Sequence, residues 1–496
     1  MADEPSAPGA AEHAERRAIG GAFWAAVGRW SMSTIAFATL AINARLLGPD
    51  PFGVHALAMT IIAFGELLVA GPLAEALVQR RDITDAERRA GFWIAAPIGV
   101  VLLIAVATTA ALFSGTLAAI LPVTAIALPL AAFASAPVAL LMRDLRFKEL
   151  TIVELIATGA GSVVGVALAL GHYGVWSLVF MELTRVTLRC AGVFIATRYA
   201  PGAPPPWTAI RSVLDFGMKG LGIAALAQLD RQIPRLVIGV WLGVSALGVF
   251  SIAMRVFETL SRLVLGPLSA VALSVASSLQ RDMSGLRRIV LGATAVSASL
   301  AAPCFLGLAA LAPLLVPLVF GASWASAILP MQILMLIGLR GTVSAFTVPI
   351  LRGLGNSRGP LVLTGVGTLL TAGLTALAAP FGLVAITLSM LLRSLATWPI
   401  GASLVRQATG LSMLEQARAG AAPIAAAGVM AALVAALAAS VGSLQPWIEV
   451  AALVAIGAFA YPAVLYLLAP ASLRSGLVSR LSNLLSKRGA QAAERA

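Results

Sequence analysis

"LGPDPFGVHALAM", residues 47–59, returns in altered form as "LGVSALGVFSIAM" at residues 242–254. Leu47 aligns with Leu242, an offset of 195 residues. Without a gap the match runs on to Gly71-Pro72-Leu73 against Gly266-Pro267-Leu268, with 11 identities over 27 positions. In a chain this rich in alanine and leucine the apolar identities carry little weight. The spaced glycines, Gly48/Gly243 and Gly53/Gly248, and the shared Gly-Pro carry the match.

The rest of the chain decides the solvent in which this repeat lives. Of 496 residues, 59% are hydrophobic and only 11% charged, and the mean hydropathy is +0.95. A water-soluble core could not hide that much apolar surface, so the composition is that of a membrane protein. The net charge of +13 and pI near 11.1 would suit a nucleic-acid binder only if the basic residues shared a soluble face. Here they sit in short connections between apolar runs, which excludes nucleic acid as the partner. Cys190 and Cys304 lie inside apolar segments and imply no disulfide framework. His13, His55 and His172 lack metal-ligand spacing, so neither a metal nor a cofactor is expected.

About 20 apolar residues are needed to cross about 30 Å of hydrocarbon. Such runs number fourteen: 20–46, 53–78, 91–113, 118–141, 150–170, 174–197, 215–241, 246–278, 289–311, 326–351, 360–380, 381–405, 420–440 and 447–469. Lysine and arginine are retained on the cytoplasmic side, so alternate connections should alternate in charge. Arg45, at the edge of the first run, is the only cation at the odd-numbered connections, whereas the even ones and the two tails hold 23. One span more or fewer would destroy that asymmetry, which predicts an even count with both termini cytoplasmic. The expected organisation is an N-terminal tail (1–19), a six-helix bundle (20–197), a Pro-rich linker (198–214) and a second six-helix bundle (215–405). Two further helices (406–470) and an amphipathic C-terminal tail (471–496) complete it.

The offset carries span two onto span eight. An even shift preserves orientation, so the halves read as parallel repeats about an axis along the membrane normal. Gly71-Pro72 and Gly266-Pro267 occupy matching places inside these spans, where a Gly-Pro bends a helix and marks a hinge.

The stretches "RLLGPDPFGVHALAM", "ALVQRRDITDAERRAGFWIAAPIG" and "LLMRDLRFKELTIVELIATGAGSVVGVALALGHYGVWSLV" resemble the polysaccharide-transporter family. These are the Wzx-like oligosaccharide flippases of the multidrug/oligosaccharidyl-lipid/polysaccharide (MOP) superfamily, and the likeness covers about residues 20 to 450. It implies fourteen helices in two bundles and alternating access in a bacterial inner membrane. It also implies transfer of polyprenyl-pyrophosphate-linked glycans from the cytoplasmic to the periplasmic leaflet for cell-surface polysaccharide synthesis. The apolar runs give the same span count on their own.

An arginine at mid-bilayer costs at least about 2.5–3.5 kcal/mol, so it should face a partner or a wet cavity. Leaving out the outermost three residues of each span, ten cations fall within the spans: Arg29, Arg185, Arg189, Lys219, Arg231, Arg235, Arg255, Arg262, Arg340 and Arg393. Six acids accompany them there: Glu66, Glu75, Glu154, Glu182, Asp230 and Glu258. Glu182, Arg185 and Arg189 share one helix face, as do Arg255, Glu258 and Arg262, so each trio reads as an internal pair with a spare cation. Arg29, Arg340 and Arg393 have no acid within one turn. A guanidinium fork binds phosphate oxygens bidentately, which makes Arg29, Arg255, Arg340, Arg231 and Arg393 candidates for a pyrophosphate site. Glu66 and Asp230 are candidates for coupling to H+ or Na+, and Glu258 for coupling or ion pairing.

An enzyme acting on lipid-linked sugars would place its chemistry in a large external loop or a clustered acid/His set, and the sequence has neither. A cation-coupled drug antiporter of the same superfamily would want an acidic interior, and an uncoupled scramblase would need no coupling acid. The expected partners are the lipid-linked oligosaccharide, membrane lipids, and the polymerase and export machinery of the same pathway.

Overall fold

The structure, a computed structural model, describes residues 28, 30–79, 83–278, 282–356, 358–440 and 445–468, with backbone alone for 70–76, 79, 218–220, 223 and 267–278. Both expected tails lie outside these residues. Among the described residues every regular element is helical. They are α1 (30–47), α2 (Pro49–Gln79), α3 (Asp85–Thr109), α4 (Gly115–Ala125), α5 (Ala127–Arg143), α6 (Phe147–Leu170), α7 (Val175–Thr197) and α8 (Trp207–Val237). There follow α9 (Gly243–Ser278), α10 (Met283–Phe320), α11 (Ile328–Ser344), α12 (Thr347–Gly353), α13 (Arg358–Ala378), α14 (Leu383–Thr409), α15 (Met413–Ser440) and α16 (Pro446–Leu468).

Eleven stretches are long and apolar enough to cross a membrane by length and composition. One of them, Ala224–Gly266, joins α8 and α9, and α7 falls outside the count while carrying Glu182, Arg185 and Arg189. Apolar side chains such as Val163, Leu369 and Phe459 point outward, as lipid-facing residues do. The chain is a multi-span, all-helical membrane protein.

Two compact units interleave along the sequence. The first comprises residues up to Ala253 with Val319–Ala327 and Thr364–Ser389; the second comprises Met254–Leu318, Ile328–Leu363 and the residues from Met390. Of the stretch expected as a linker at 198–214, only 198–206 is non-helical, because α8 already begins at Trp207; the packing units part instead within α9, α10, α13 and α14.

In the first unit the repeated turns meet each other. Gly48 and Gly243 both take positive φ, +74° and +84°, which lets each helix start directly after the preceding one. Five residues on, Gly53 of α2 lies against Val244, and Gly248 of α9 lies against Pro49. A methyl on Gly53 would overlap the Val244 carbonyl oxygen and sit 3.0 Å from the Gly248 amide nitrogen; one on Gly248 would overlap the Pro49 oxygen and sit 3.0 Å from the Gly53 nitrogen. Val244 is the counterpart of Pro49 in the repeat, so the crossing is locally two-fold symmetric. The repeat is retained where two backbones touch and no side chain fits. Beside it, the fully buried Trp324 donates from Nε1 to the Ala44 carbonyl at 3.0 Å, which also accepts from the Gly48 amide at 3.2 Å.

The helical trace continues through Gly71-Pro72 in α2 and Gly266-Pro267 in α9. The bend expected there is not an interruption, because a proline removes one hydrogen bond and leaves the turns on either side bonded.

In the second unit, side chains repair what prolines break. Pro303 and Pro313 in α10 lack the N–H groups that Ser299 and Ala309 carbonyls would accept. Tyr461 Oη of α16 donates to Ser299 O at 2.8 Å, and Gln332 Nε2 of α11 donates to Ala309 O at 3.0 Å. Without water, these donors keep two acceptors satisfied and tie three helices together.

Candidate functional site

Each unit holds a charged site of its own, and the two have opposite character. In the first unit Gly161 of α6 is so close to α7 that an added methyl would lie 2.7 Å from the Met181 carbonyl oxygen and 3.1 Å from Arg185 Cβ. That approach brings the acid of one helix to the cation of the next. Arg189 Nε donates to Glu154 Oε1 at 2.6 Å, while Arg185 Nε donates to Glu182 Oε2 at 3.0 Å and its Nη2 engages Oε1. Glu66 of α2 lies within electrostatic range of Glu182, Arg185 and Arg189. Among the described residues its carboxylate makes neither a hydrogen bond nor an ion pair.

The trio Glu182, Arg185 and Arg189 therefore has no spare cation. Sequence spacing sees neighbours on the same helix, and Arg189 instead reaches across to Glu154. Three carboxylates face two guanidiniums, so with all of them ionised this site carries one surplus negative charge.

Asp230 has a different setting. Thr371 Oγ1 of α13 donates to Asp230 Oδ1 at 2.6 Å, one turn from Thr368 Oγ1, which donates to Leu226 O at 3.3 Å. The adjacent Arg231 is exposed and donates to Gln228 on its own helix at 2.5 Å. Consecutive helical residues point about 100° apart, so the acid enters the α8–α13 contact and the arginine leaves it.

In the second unit Arg340 of α11 and Arg393 of α14 are both half-buried and within electrostatic range of each other. Arg340 Nε is buried and has no hydrogen-bond partner among the described residues. Like charges brought together inside an apolar bundle, one with an unused buried donor, make a site for an anion. Arg255 on α9 is exposed, and Glu258 sits 3.8 Å from Arg262. Of the cations singled out in the sequence, Arg340 and Arg393 come together; Arg29 lies outside the described residues. The side chains of Gly71, Pro72 and Pro267 likewise lie outside them, and Gly266 is half-buried. Among the described residues no group of three or more His, Cys, Asp and Glu side chains could hold a metal ion.

Sequence reasoning missed the Glu154–Arg189 pair and the Thr371 hydroxyl on Asp230. The first had a signal: Gly161 and Gly165 are spaced four apart on α6, the pattern that lets membrane helices approach closely. Nothing in the sequence pointed to Thr371.

The chain is 28% identical over 340 residues to the succinoglycan biosynthesis transport protein ExoT of Rhizobium meliloti (strain 1021), covering 67% of this chain and 68% of that one. Its fold is similar to that of the lipid II flippase MurJ in an inward closed conformation, with a TM-score of 0.70 and 11% identity over 90% of this chain and 98% of that one. It is also similar to an inward-facing multidrug resistance MATE family transporter of the MOP superfamily, with a TM-score of 0.61 and 16% identity over 78% and 99%. The family model described as "Polysaccharide biosynthesis protein" matches residues 42–329, more than half of the chain, and the protein belongs to that family, on a fold shared with MOP-superfamily transporters.

Proposed function

We propose that this protein is a lipid-linked oligosaccharide flippase. It moves polyprenyl-pyrophosphate-linked glycan units from the cytoplasmic to the periplasmic leaflet of a bacterial inner membrane, by alternating access between two bundles related by a parallel repeat. Fourteen spans, cytoplasmic termini and hinges at Gly71-Pro72 and Gly266-Pro267 belong to this reading. The observation that carries it is the buried Nε of Arg340, unpartnered among the described residues, beside Arg393. A pyrophosphate supplies the acceptors and negative charge that such a site lacks, and guanidinium binds it in fork geometry. Family membership and the names of ExoT and MurJ support the same substrate class.

Glu66 is assigned the coupling role, because a half-buried carboxylate without a partner among the described residues can exchange H+ or Na+ as its surroundings open and close. Asp230, held by Thr371, is assigned a structural role. The protein acts as a transporter rather than an enzyme, handing its cargo to the polymerase and export machinery. A cation-coupled small-molecule antiporter is the second reading, favoured by the surplus carboxylate at Glu66, Glu154 and Glu182.

Deletion of the gene separates the two. A flippase deletion traps lipid-linked oligosaccharide on the cytoplasmic leaflet, and complementation with normally inserted Arg340→Ala fails to release it. An antiporter deletion changes susceptibility to cationic compounds and leaves the lipid-linked intermediates untouched. Arg29→Ala and Arg255→Ala, tested alongside, determine whether those residues join the site; full export by all three variants removes the arginines from it.

A further inference from the structure

At the arginine-rich end of the first unit, the starts of α3 and α6, the ends of α5 and α7 and the residues that follow α7 enclose a half-open cavity of about 400 Å³. That volume lies within the range of about 300–1,000 Å³ usual for small-molecule sites. Four guanidiniums line it, those of Arg88, Arg89, Arg146 and Arg198, against two carboxylates, Asp85 and Asp144. With Glu149, which pairs with Arg146 just outside the lining, the site carries a surplus of one positive charge.

Two of these arginines are held in place and two keep donors to spare. Arg146 Nη2 donates to the Ala196 carbonyl at 2.8 Å and Nε to Glu149 at 2.8 Å, while Arg89 Nη1 donates to Ala203 O at 3.3 Å. Arg88 meets Asp85 only at 3.7 Å. Arg198, which ends α7 in the left-handed region with φ +51°, makes no side-chain hydrogen bond or ion pair among the described residues.

The wall is rigid. Tyr199 Oη donates to the Arg88 carbonyl at 3.0 Å, and its ring packs on Phe194 and Phe92 at centroid distances of 5.9 and 6.2 Å. Burial pushes the Tyr199 phenol up to about 12 even though the Arg88 and Arg89 charges pull it down, so it remains a neutral donor at any working pH. Leu145 and Ile195, both exposed, stand within three residues of the lining and offer an apolar approach.

We propose that this cavity binds a phosphorylated headgroup, with Arg88 and Arg198 as its direct ligands. Convergent guanidiniums with unused donors recognise phosphate oxygens, and basic pockets at helix ends at the membrane surface recognise anionic lipid headgroups. The same chemistry is found in an anionic phospholipid and in a soluble phosphate. The cavity is built wholly from the first unit, shares no residue with Arg340 and Arg393, and does not depend on the transport reading.

The test uses the purified full-length protein in nanodiscs of phosphatidylcholine, with cardiolipin added in one arm and inorganic pyrophosphate in the other. Bound cardiolipin is read by native mass spectrometry and bound pyrophosphate by isothermal titration. Arg88→Gln/Arg198→Gln is expected to weaken binding roughly 10- to 30-fold. Asp144→Asn, which removes an opposing charge, is expected to strengthen it; a folding defect cannot produce that result. Arg211→Gln, outside the cavity, is expected to bind as the wild type does. Cardiolipin binding that pyrophosphate fails to displace assigns the site to lipid, and displacement assigns it to soluble phosphate. The proposal is overturned if neither probe binds, or if the double variant and Asp144→Asn bind both probes as the wild type does.

Discussion

If the repeated glycines serve to let α2 and α9 cross at backbone distance, a single methyl at Gly53 should force the helices apart. The obstruction is the Val244 carbonyl, with the Gly248 amide nitrogen 3.0 Å away, and neither belongs to a side chain that could rotate out of the way. Overpacking costs about 1–3 kcal/mol, and here the upper end applies. Alanine returns about 1 kcal/mol of helix propensity over glycine. Gly53→Ala should therefore destabilise by about 2 kcal/mol, and Gly248→Ala, which meets the Pro49 carbonyl, by the same amount. The double variant distinguishes this account from ordinary crowding. One separation of the helices accommodates both methyls, so the double should cost about 1–2 kcal/mol rather than about 4, a strong non-additivity. Fluorescence-detected gel filtration after heating in detergent measures it, with each single variant melting roughly 4–8 °C lower. Gly159→Ala, where nothing lies within 4 Å of the added carbon, serves as the control and should melt no lower than the wild type. The reasoning fails if both single variants melt with the wild type, or if the double falls by the sum of the singles.

Other expectations follow from individual contacts. Arg189→Gln leaves Glu154 half-buried without its partner and should cost about 3 kcal/mol, while adding Glu154→Gln should recover much of it; denaturation of the two singles and the double measures the coupling. Tyr461→Phe removes the donor from the carbonyl that Pro303 leaves open and should cost about 1 kcal/mol, and Tyr461→Phe/Pro303→Ala should cost less than Tyr461→Phe alone. The Tyr199 phenol is raised from its ordinary 10 to about 12. The stability it contributes is complete below pH 10 and is lost as pH rises towards 12, so Tyr199→Phe should flatten the alkaline limb of a melting curve taken against pH.

Hydropathy alone placed most helices well, because a bilayer demands length and apolarity from each segment separately. The run at 174–197 became Val175–Thr197, and that at 150–170 became Phe147–Leu170. The repeat was legible for a related reason: Gly48, Gly53, Gly243 and Gly248 meet backbone requirements that no other residue fulfils, so the sequence retains them. The charge pairing was much less legible. A helix that is apolar all round has no sequence-level signal for its rotation against its neighbours, and Arg189 could be assigned to Glu182 or to Glu154 only once α6 and α7 were packed. The same holds for Asp230 and Arg231, adjacent in sequence and turned to different surroundings. Arg340 and Arg393 were legible individually, as deep cations without local acids, but their proximity depended on how α11 meets α14.

The central claim is that the cationic site of the second unit carries a lipid-linked pyrophosphate. It is tested most directly in proteoliposomes containing a fluorescent polyprenyl-pyrophosphate-linked oligosaccharide, by following its movement between leaflets with a membrane-impermeant quencher. The wild type should move it. Arg340→Gln, which removes a charge-assisted contact of about 1.5–3 kcal/mol, should slow that movement roughly 10- to 150-fold. Arg340→Gln/Arg393→Gln moving the lipid at the wild-type rate would contradict the claim.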